Sequence, residues 1–333
     1  MAYKVVISDY MFDDPEREKA VLEPIGARVF VYDDKSDEER IAHCHDADAI
    51  LCEIGPFYRP VIEELQRCKA IVAYGAGFDH FDVEAATQHG IYVTNTPGIL
   101  TDTTADFAFA LILALARRIP EADRHIRAGK WIHAWGPRMF IGSDVHGKTL
   151  GIVGLGRIGS AVARRARGFD MNLIYFDTLR REDLEEELGV IYRSFEEVLA
   201  EADYLTIHVP LTEQTHHLIG DEELSMMKKT AYLINTSRGP VIDEEALYRS
   251  LKEGVIAGAA LDVFEDEPID PESPLLGMEN VVLTPHIASA SRETRTRMAV
   301  VAATNLVSVL LGEEPPNLVN PEVRAVRPLK PSK

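Results

Sequence analysis

Cysteine is scarce. The chain of 333 residues has three, Cys44, Cys52 and Cys68, and none forms a C-x-x-C pair. An odd number without that spacing argues against a disulfide framework and fits reduced thiols in a cytoplasmic protein. Positive charge is also short. Lys and Arg number 35 against 54 Asp and Glu, a formal net charge of −19. That balance argues against nucleic acid and anionic membrane surfaces as partners, and it makes any arginine in a cleft informative. No apolar run reaches ~18 residues without a charge, so no membrane-crossing helix is expected. The opening MAYKVVISDY reads as a short strand pattern and not as a signal peptide. Low-complexity tracts and fixed-period repeats are absent as well.

What is present is a globular composition, 46% apolar and 27% charged. The length suits two domains better than one core. The first hundred residues alternate β-rich runs (KVVIS, RVFVY, AILC, AIVAY, IYVTN) with charged helical stretches. This rhythm predicts a parallel sheet with helices on its faces. Pro97 and Gly98 break it. A long apolar helix follows, with Thr101 or Asp102 as its cap and its face buried over 107–116. A second series runs from TLGIVG through NLIYFD, YLTIHV, AYLINT and IAGAALDV to VVLTPH. Another long helix and a proline-rich tail close the chain. The reading is α/β, two doubly wound parallel-sheet domains. Residues 102–285 are inserted within an outer domain made of 1–101 and 286–333.

The second series opens on G-x-G-x-x-G, with Gly154, Gly156 and Gly159. An apolar strand precedes the motif and a helical pattern follows it. Gly154 permits the tight turn, Gly156 lets backbone approach a pyrophosphate, and Gly159 lets helix pack on strand. The helix N-terminus offers free N–H groups to the phosphates. The next strand ends in Asp177, which can accept from both ribose hydroxyls and repel a 2′-phosphate. NAD(H) is therefore expected, with NADP(H) less favoured; Arg180 and Arg181 lie close by. A phosphate-loop match, GSDVHGKT at 142–149, is set aside because a strand, not a helix, follows it.

Three chemistry-bearing residues sit just beyond strand ends: Arg238 after AYLINTS, Glu267 after AALDVFED, and His286 after VVLTP. Carboxyl ends of parallel strands are where such folds bind ligands. Each alone reads equally as a salt bridge, a solvated charge or a loop histidine. Together, beside a dinucleotide motif, they form a candidate catalytic set. His43, His45, His216 and His217 show no ligand spacing, so no metal is expected.

GLGRIG, NTSRGPVIDEEAL, GAALDVFEDEP and TPHIAS, with YGAGFDHFD and TNTPGILTDTTADFAFAL, resemble the D-isomer-specific 2-hydroxyacid dehydrogenases. The likeness covers nearly the whole chain and is similar in detail to glyoxylate/hydroxypyruvate reductases. It implies a Rossmann coenzyme domain inserted into a flavodoxin-like substrate domain, and NADH-dependent reduction of small 2-oxo acids in a cytoplasmic homodimer. It implies that Arg238 binds the substrate carboxylate and carbonyl oxygen, that His286 donates the proton, and that Glu267 holds the imidazole. Reduction then fades as pH rises and His286 loses its proton. Backbone N–H groups of Ala76 and Gly77 are implied on the carboxylate. Thr104, Arg157, Ile158, Val209, Pro210, Thr236, Asp262 and His286 are implied cofactor contacts. Val209 and Pro210 would wall the adenine, and Asp262 would accept from the carboxamide.

Two departures stand out. Met139 occupies a position where such reductases often carry a second tryptophan, near Trp135. Glu53 stands where an apolar residue usually lies near the substrate, and it reads either as a recogniser of polar substrates or as a solvated charge. Two other activities stay open within the resemblance: D-3-phosphoglycerate dehydrogenase, and an NAD(H)-sensing corepressor-like binding protein.

Overall fold

The computed structural model describes residues 2–10, 14–132 and 136–330. The chain divides into two compact units, Met1–Leu100 with Ala290–Lys333, and Thr101–Ser289. The inserted unit starts one residue before the expected boundary at 102 and ends four residues beyond that at 285, so His286 belongs with the second unit.

The first unit holds β1 (Tyr3–Ile7), β2 (Ala27–Val31), β3 (Ala49–Cys52), β4 (Ala70–Ala73) and β5 (Tyr92–Thr94). All pairings among them are parallel, in the order β2-β1-β3-β4-β5. Ala49–Cys52 and Ala70–Ala73 are buried at every position. Continuous apolar runs of this kind belong to strands covered on both faces. The helix Arg292–Leu311 packs on β3 and β4. It starts at Ser291, whose hydroxyl accepts from the Thr294 N–H at 3.1 Å. The tail wraps back onto this unit: Tyr92 donates to the Arg327 carbonyl at 2.6 Å, and Asn320 donates to that of Ile91 at 2.9 Å.

The second unit holds β6 (Thr149–Val153), β7 (Asn172–Phe176), β8 (Ile191–Tyr192), β9 (Tyr204–Ile207), β10 (Tyr232–Asn235), β11 (Gly258–Leu261) and β12 (Val281–Leu283). The order is β12-β11-β10-β9-β6-β7-β8, again all parallel. The order reverses at β6, between β7 and β9. That is the switch point at which open sheets of this kind bind dinucleotides. The apolar helix expected after residue 101 spans Thr101–Ala116. It buries Ala105, Ala108, Ile112 and Leu115 against the helix Arg157–Arg167 and this sheet. Thr101 lies already inside the helix and does not cap it. Segment 142–148 is loop and β6 follows it directly, so the phosphate-loop match has no helix to serve.

Candidate active site

The glycine motif lies at the switch point. Gly154 has φ +93°, and a Cβ there would stand 2.8 Å from the His208 carbonyl oxygen. The turn needs glycine for both reasons. A Cβ on Gly159 would fall 2.1 Å from the Gly154 carbonyl oxygen, so helix and turn meet at backbone contact. Gly156 differs, because a Cβ there would meet nothing within 4 Å. Its surface is exposed and opens the N-terminus of the Arg157–Arg167 helix. Arg157 is exposed and Ile158 half-buried in the first turn.

Asp177, at the end of β7, accepts from the Leu155 N–H at 2.8 Å and so clamps the glycine turn. Arg181 donates to the Leu155 carbonyl at 3.3 Å from the same side. Both nearby arginines are already engaged by carboxylates. Arg180 pairs with Glu185 through two bonds of 2.9 Å, and Arg181 with Asp183 at 3.0 and 2.8 Å.

The structure brings Arg238, Glu267 and His286 to the carboxyl ends of β10, β11 and β12. His286 Nδ1 and Glu267 Oε2 are 2.7 Å apart. Glu267 Oε1 accepts from the Phe264 N–H at 3.0 Å. Burial alone would raise the Glu267 carboxyl. The His286 bond and charge, the Phe264 N–H and the Arg238 charge outweigh it and hold the carboxyl below its usual range. Glu267 is therefore ionised at neutral pH. The His286 side chain remains 41% exposed, with Nδ1 engaged and Nε2 on the opposite side of the ring. Arg238 is half-buried and donates to the Ser237 carbonyl at 2.8 Å. Gly239 follows, and a Cβ there would collide with the Phe264 carbonyl carbon at 1.8 Å. Only glycine lets the loop carrying Arg238 seat against the end of β11.

His286 itself adopts φ +52°. Such a backbone costs on the order of 1–3 kcal/mol for a residue with a Cβ, and it persists only where surroundings hold it. Asp262 supplies the hold. Its carboxylate accepts from the Thr284 hydroxyl at 2.6 Å and from the Ile287 and Ala288 N–H groups at 2.9 and 2.7 Å. Its carbonyl accepts from the His286 N–H at 2.8 Å. Burial raises the Asp262 carboxyl, and those three donors with the His286 charge oppose that rise. Asp262 is 0% exposed.

In the first unit, the turn after β4 carries Ala76 and Gly77. Neither N–H donates to another described group. The turn is fixed through its carbonyls: Asn95 Nδ2 donates to Ala76 at 2.6 Å, and the Thr96 N–H to Gly75 at 2.9 Å. Two free, adjacent N–H groups on a fixed turn suit an anion.

A family model described as D-isomer specific 2-hydroxyacid dehydrogenase, NAD binding domain, matches residues 109–288. A glyoxylate reductase of Korarchaeum cryptofilum is 58% identical over 290 residues, which is 87% of each chain. The chain belongs to the D-isomer-specific 2-hydroxyacid dehydrogenases. Solved structures agree. A glyoxylate reductase from Paecilomyes thermophila superposes with a TM-score of 0.85 at 36% identity, over 96% of this chain and 98% of that one. An NADPH-dependent glyoxylate/hydroxypyruvate reductase of Sinorhizobium meliloti gives 0.87 at 32%, over 100% and 99%. As in other D-2-hydroxyacid dehydrogenases, the two units are a Rossmann domain and a flavodoxin-like one, and the inserted unit carries a nicotinamide cofactor.

The residues of this dehydrogenase fit that cofactor. Gly156 leaves open space where a pyrophosphate needs close approach. The Thr236 hydroxyl is buried with no hydrogen-bond partner among the described residues, an acceptor or donor left over at the end of β10. Val209 is half-buried and Pro210 exposed just past β9, and Thr104 is buried on the Thr101–Ala116 helix. Asp262 is fully buried, and its carboxylate accepts from three donors of the 284–288 turn, so it braces the backbone that carries His286. The sequence reading missed that brace, although a threonine before Pro285 and an aspartate at the preceding strand end were its visible signals. It also missed His208, whose Nε2 lies 2.9 Å from Thr206 Oγ1 beneath the glycine turn. Burial pushes that imidazole down to about 3, so it is neutral at physiological pH. Trp135 lies outside the described residues. No metal-binding cluster occurs among the described residues.

Proposed function

We propose that the protein is an NADH-dependent reductase of small 2-oxo acids, acting on glyoxylate and hydroxypyruvate. The observation that carries this reading is the His286–Glu267 pair at 2.7 Å, next to the Arg238 charge on the same sheet edge. The nicotinamide, when bound, supplies hydride. Arg238 grips the carboxylate and polarises the carbonyl, since a planar guanidinium presents paired donors. His286 gives its Nε2 proton to the carbonyl oxygen, and Glu267 holds the ring and offsets its charge. Asp262 keeps the turn that aims the ring. Ala76 and Gly77 are the proposed carboxylate-binding N–H pair of the first unit.

The test is steady-state turnover of glyoxylate and hydroxypyruvate with NADH and NADPH. Fast loss of NADH absorbance supports the reductase. Tight NADH binding with negligible turnover of any 2-oxo acid defeats it and favours the corepressor-like reading. The preference for NADH rests on Asp177 and on arginines already paired. Asp177→Ser is expected to raise the NADPH/NADH ratio of kcat/KM at least tenfold, by removing a carboxylate that repels a 2′-phosphate. An unchanged ratio places cofactor choice elsewhere.

We further propose a cytoplasmic homodimer. Ile119 and Ile126 project from the helix Ile119–Arg127, and Ile132 and Ile141 lie in the following loop, all exposed. Exposed isoleucines concentrated in this stretch are the surface we assign to the second copy. Sedimentation velocity should give twice the chain mass, and Ile119→Glu with Ile126→Glu should give the single chain mass.

A further inference from the structure

We infer that Glu53 reads the C3 substituent of the 2-oxo acid, taking a hydrogen bond from a C3 hydroxyl and so favouring 3-hydroxylated substrates over their methyl analogues. The inference rests on the reading of Ala76 and Gly77 as the carboxylate-binding pair. It concerns the first unit alone.

Glu53 directly follows β3, and the register pairs Cys52 with Ala73 on β4. Glu53 is thus level with Tyr74, two residues before Ala76, on a neighbouring strand ~4.8 Å away. It also flanks the point where the strand order reverses, between β1 and β3, where sheets of this order bind ligands. Its backbone is fixed. Asp9, at the end of β1, accepts from the N–H groups of Glu53, Ile54 and Gly55 at 2.7, 2.8 and 2.5 Å. Its side chain is not a solvated charge. Oε1 is buried with no hydrogen-bond partner among the described residues. A buried carboxylate oxygen without a partner among the described residues, on the strand next to the one that leads to the Ala76–Gly77 turn, is a site awaiting a donor.

The groups around it come from every neighbouring element. Asp9 and Tyr10 end β1, Glu18 sits on the helix Glu16–Leu22, Tyr74 follows β4, and Arg295 lies on the helix Arg292–Leu311. Tyr74 donates to Glu18 at 2.8 Å, so Glu18 keeps Tyr74 occupied. Burial raises the Glu53 carboxyl to about 7; Arg295 opposes the rise, and Asp9 and Glu18 add to it. A hydroxyl suits this edge in either state of the carboxyl. A methyl group leaves Oε1 unpaired, and sites built to bond a hydroxyl reject analogues that lack it.

The experiment compares kcat/KM for hydroxypyruvate and pyruvate, whose ratio cancels effects common to both. The wild-type ratio should exceed tenfold. Glu53→Leu should cut it at least tenfold. The ionised carboxyl is the stronger acceptor, so the wild-type ratio should rise from pH 6 to pH 8. In Glu53→Gln, close in shape to the native side chain, it should stay level. A wild-type ratio near one, a ratio unmoved by Glu53→Leu, or a pH rise that survives in Glu53→Gln overturns the assignment of Glu53. If Glu53→Leu does not fold, the glutamine arm decides. Absence of turnover with glyoxylate as well removes the function itself, which is a separate result.

Discussion

His286→Gln is expected to lower kcat/KM for glyoxylate by about a hundredfold to ten-thousandfold, the range general acid catalysis contributes. Glutamine keeps an N–H donor near Glu267, but its amide is too weak an acid to transfer a proton. The loss should appear in kcat, because the proton moves in the transition state. The Glu267 carboxyl is held below the usual range, so it is ionised at neutral pH and keeps its hold on the ring. The same lowering makes it a contributor to stability above the ordinary carboxylate range, lost as pH falls through its folded-state value. A variant with a tenth of wild-type activity would remove His286 from the role of acid.

Arg238→Gln should be comparably severe, about a hundredfold or more in kcat/KM. A charged hydrogen bond is worth about 1.5–3 kcal/mol, and this side chain is assigned two acceptors, carboxylate and carbonyl. KM should rise with the lost carboxylate bond and kcat should fall with the lost polarisation of the carbonyl. Arg238→Lys should recover only part, because an ammonium is a point charge without the paired planar donors. Saturation kinetics on glyoxylate separate the two effects. A lysine variant equal to wild type would mean that charge alone suffices and that the paired geometry is not used.

Much of this architecture was legible in order of residues. The runs AILC and AIVAY became β3 and β4 almost residue for residue, because strands covered on both faces must be apolar throughout. The glycine motif was legible for a similar reason. Close backbone approach at Gly154 and Gly159 admits one residue type, so the spacing carries the geometry. The triad showed itself as polar residues just past strand ends. Asp262 and Glu53 were harder. Each is an acidic residue at a strand end, and nothing local tells a brace from a ligand contact or from a surface charge.

Periodicity and glycine spacing are local requirements, and they specified two parallel α/β units, the nicotinamide turn and the candidate acid. Three features emerged from the packed fold: Asp262 locks the left-handed turn at His286, His208 is neutral, and Glu53 Oε1 is enclosed without a partner among the described residues. Those properties depend on burial and on hydrogen bonds between distant segments, and a carboxylate or imidazole takes its charge and its role from what surrounds it.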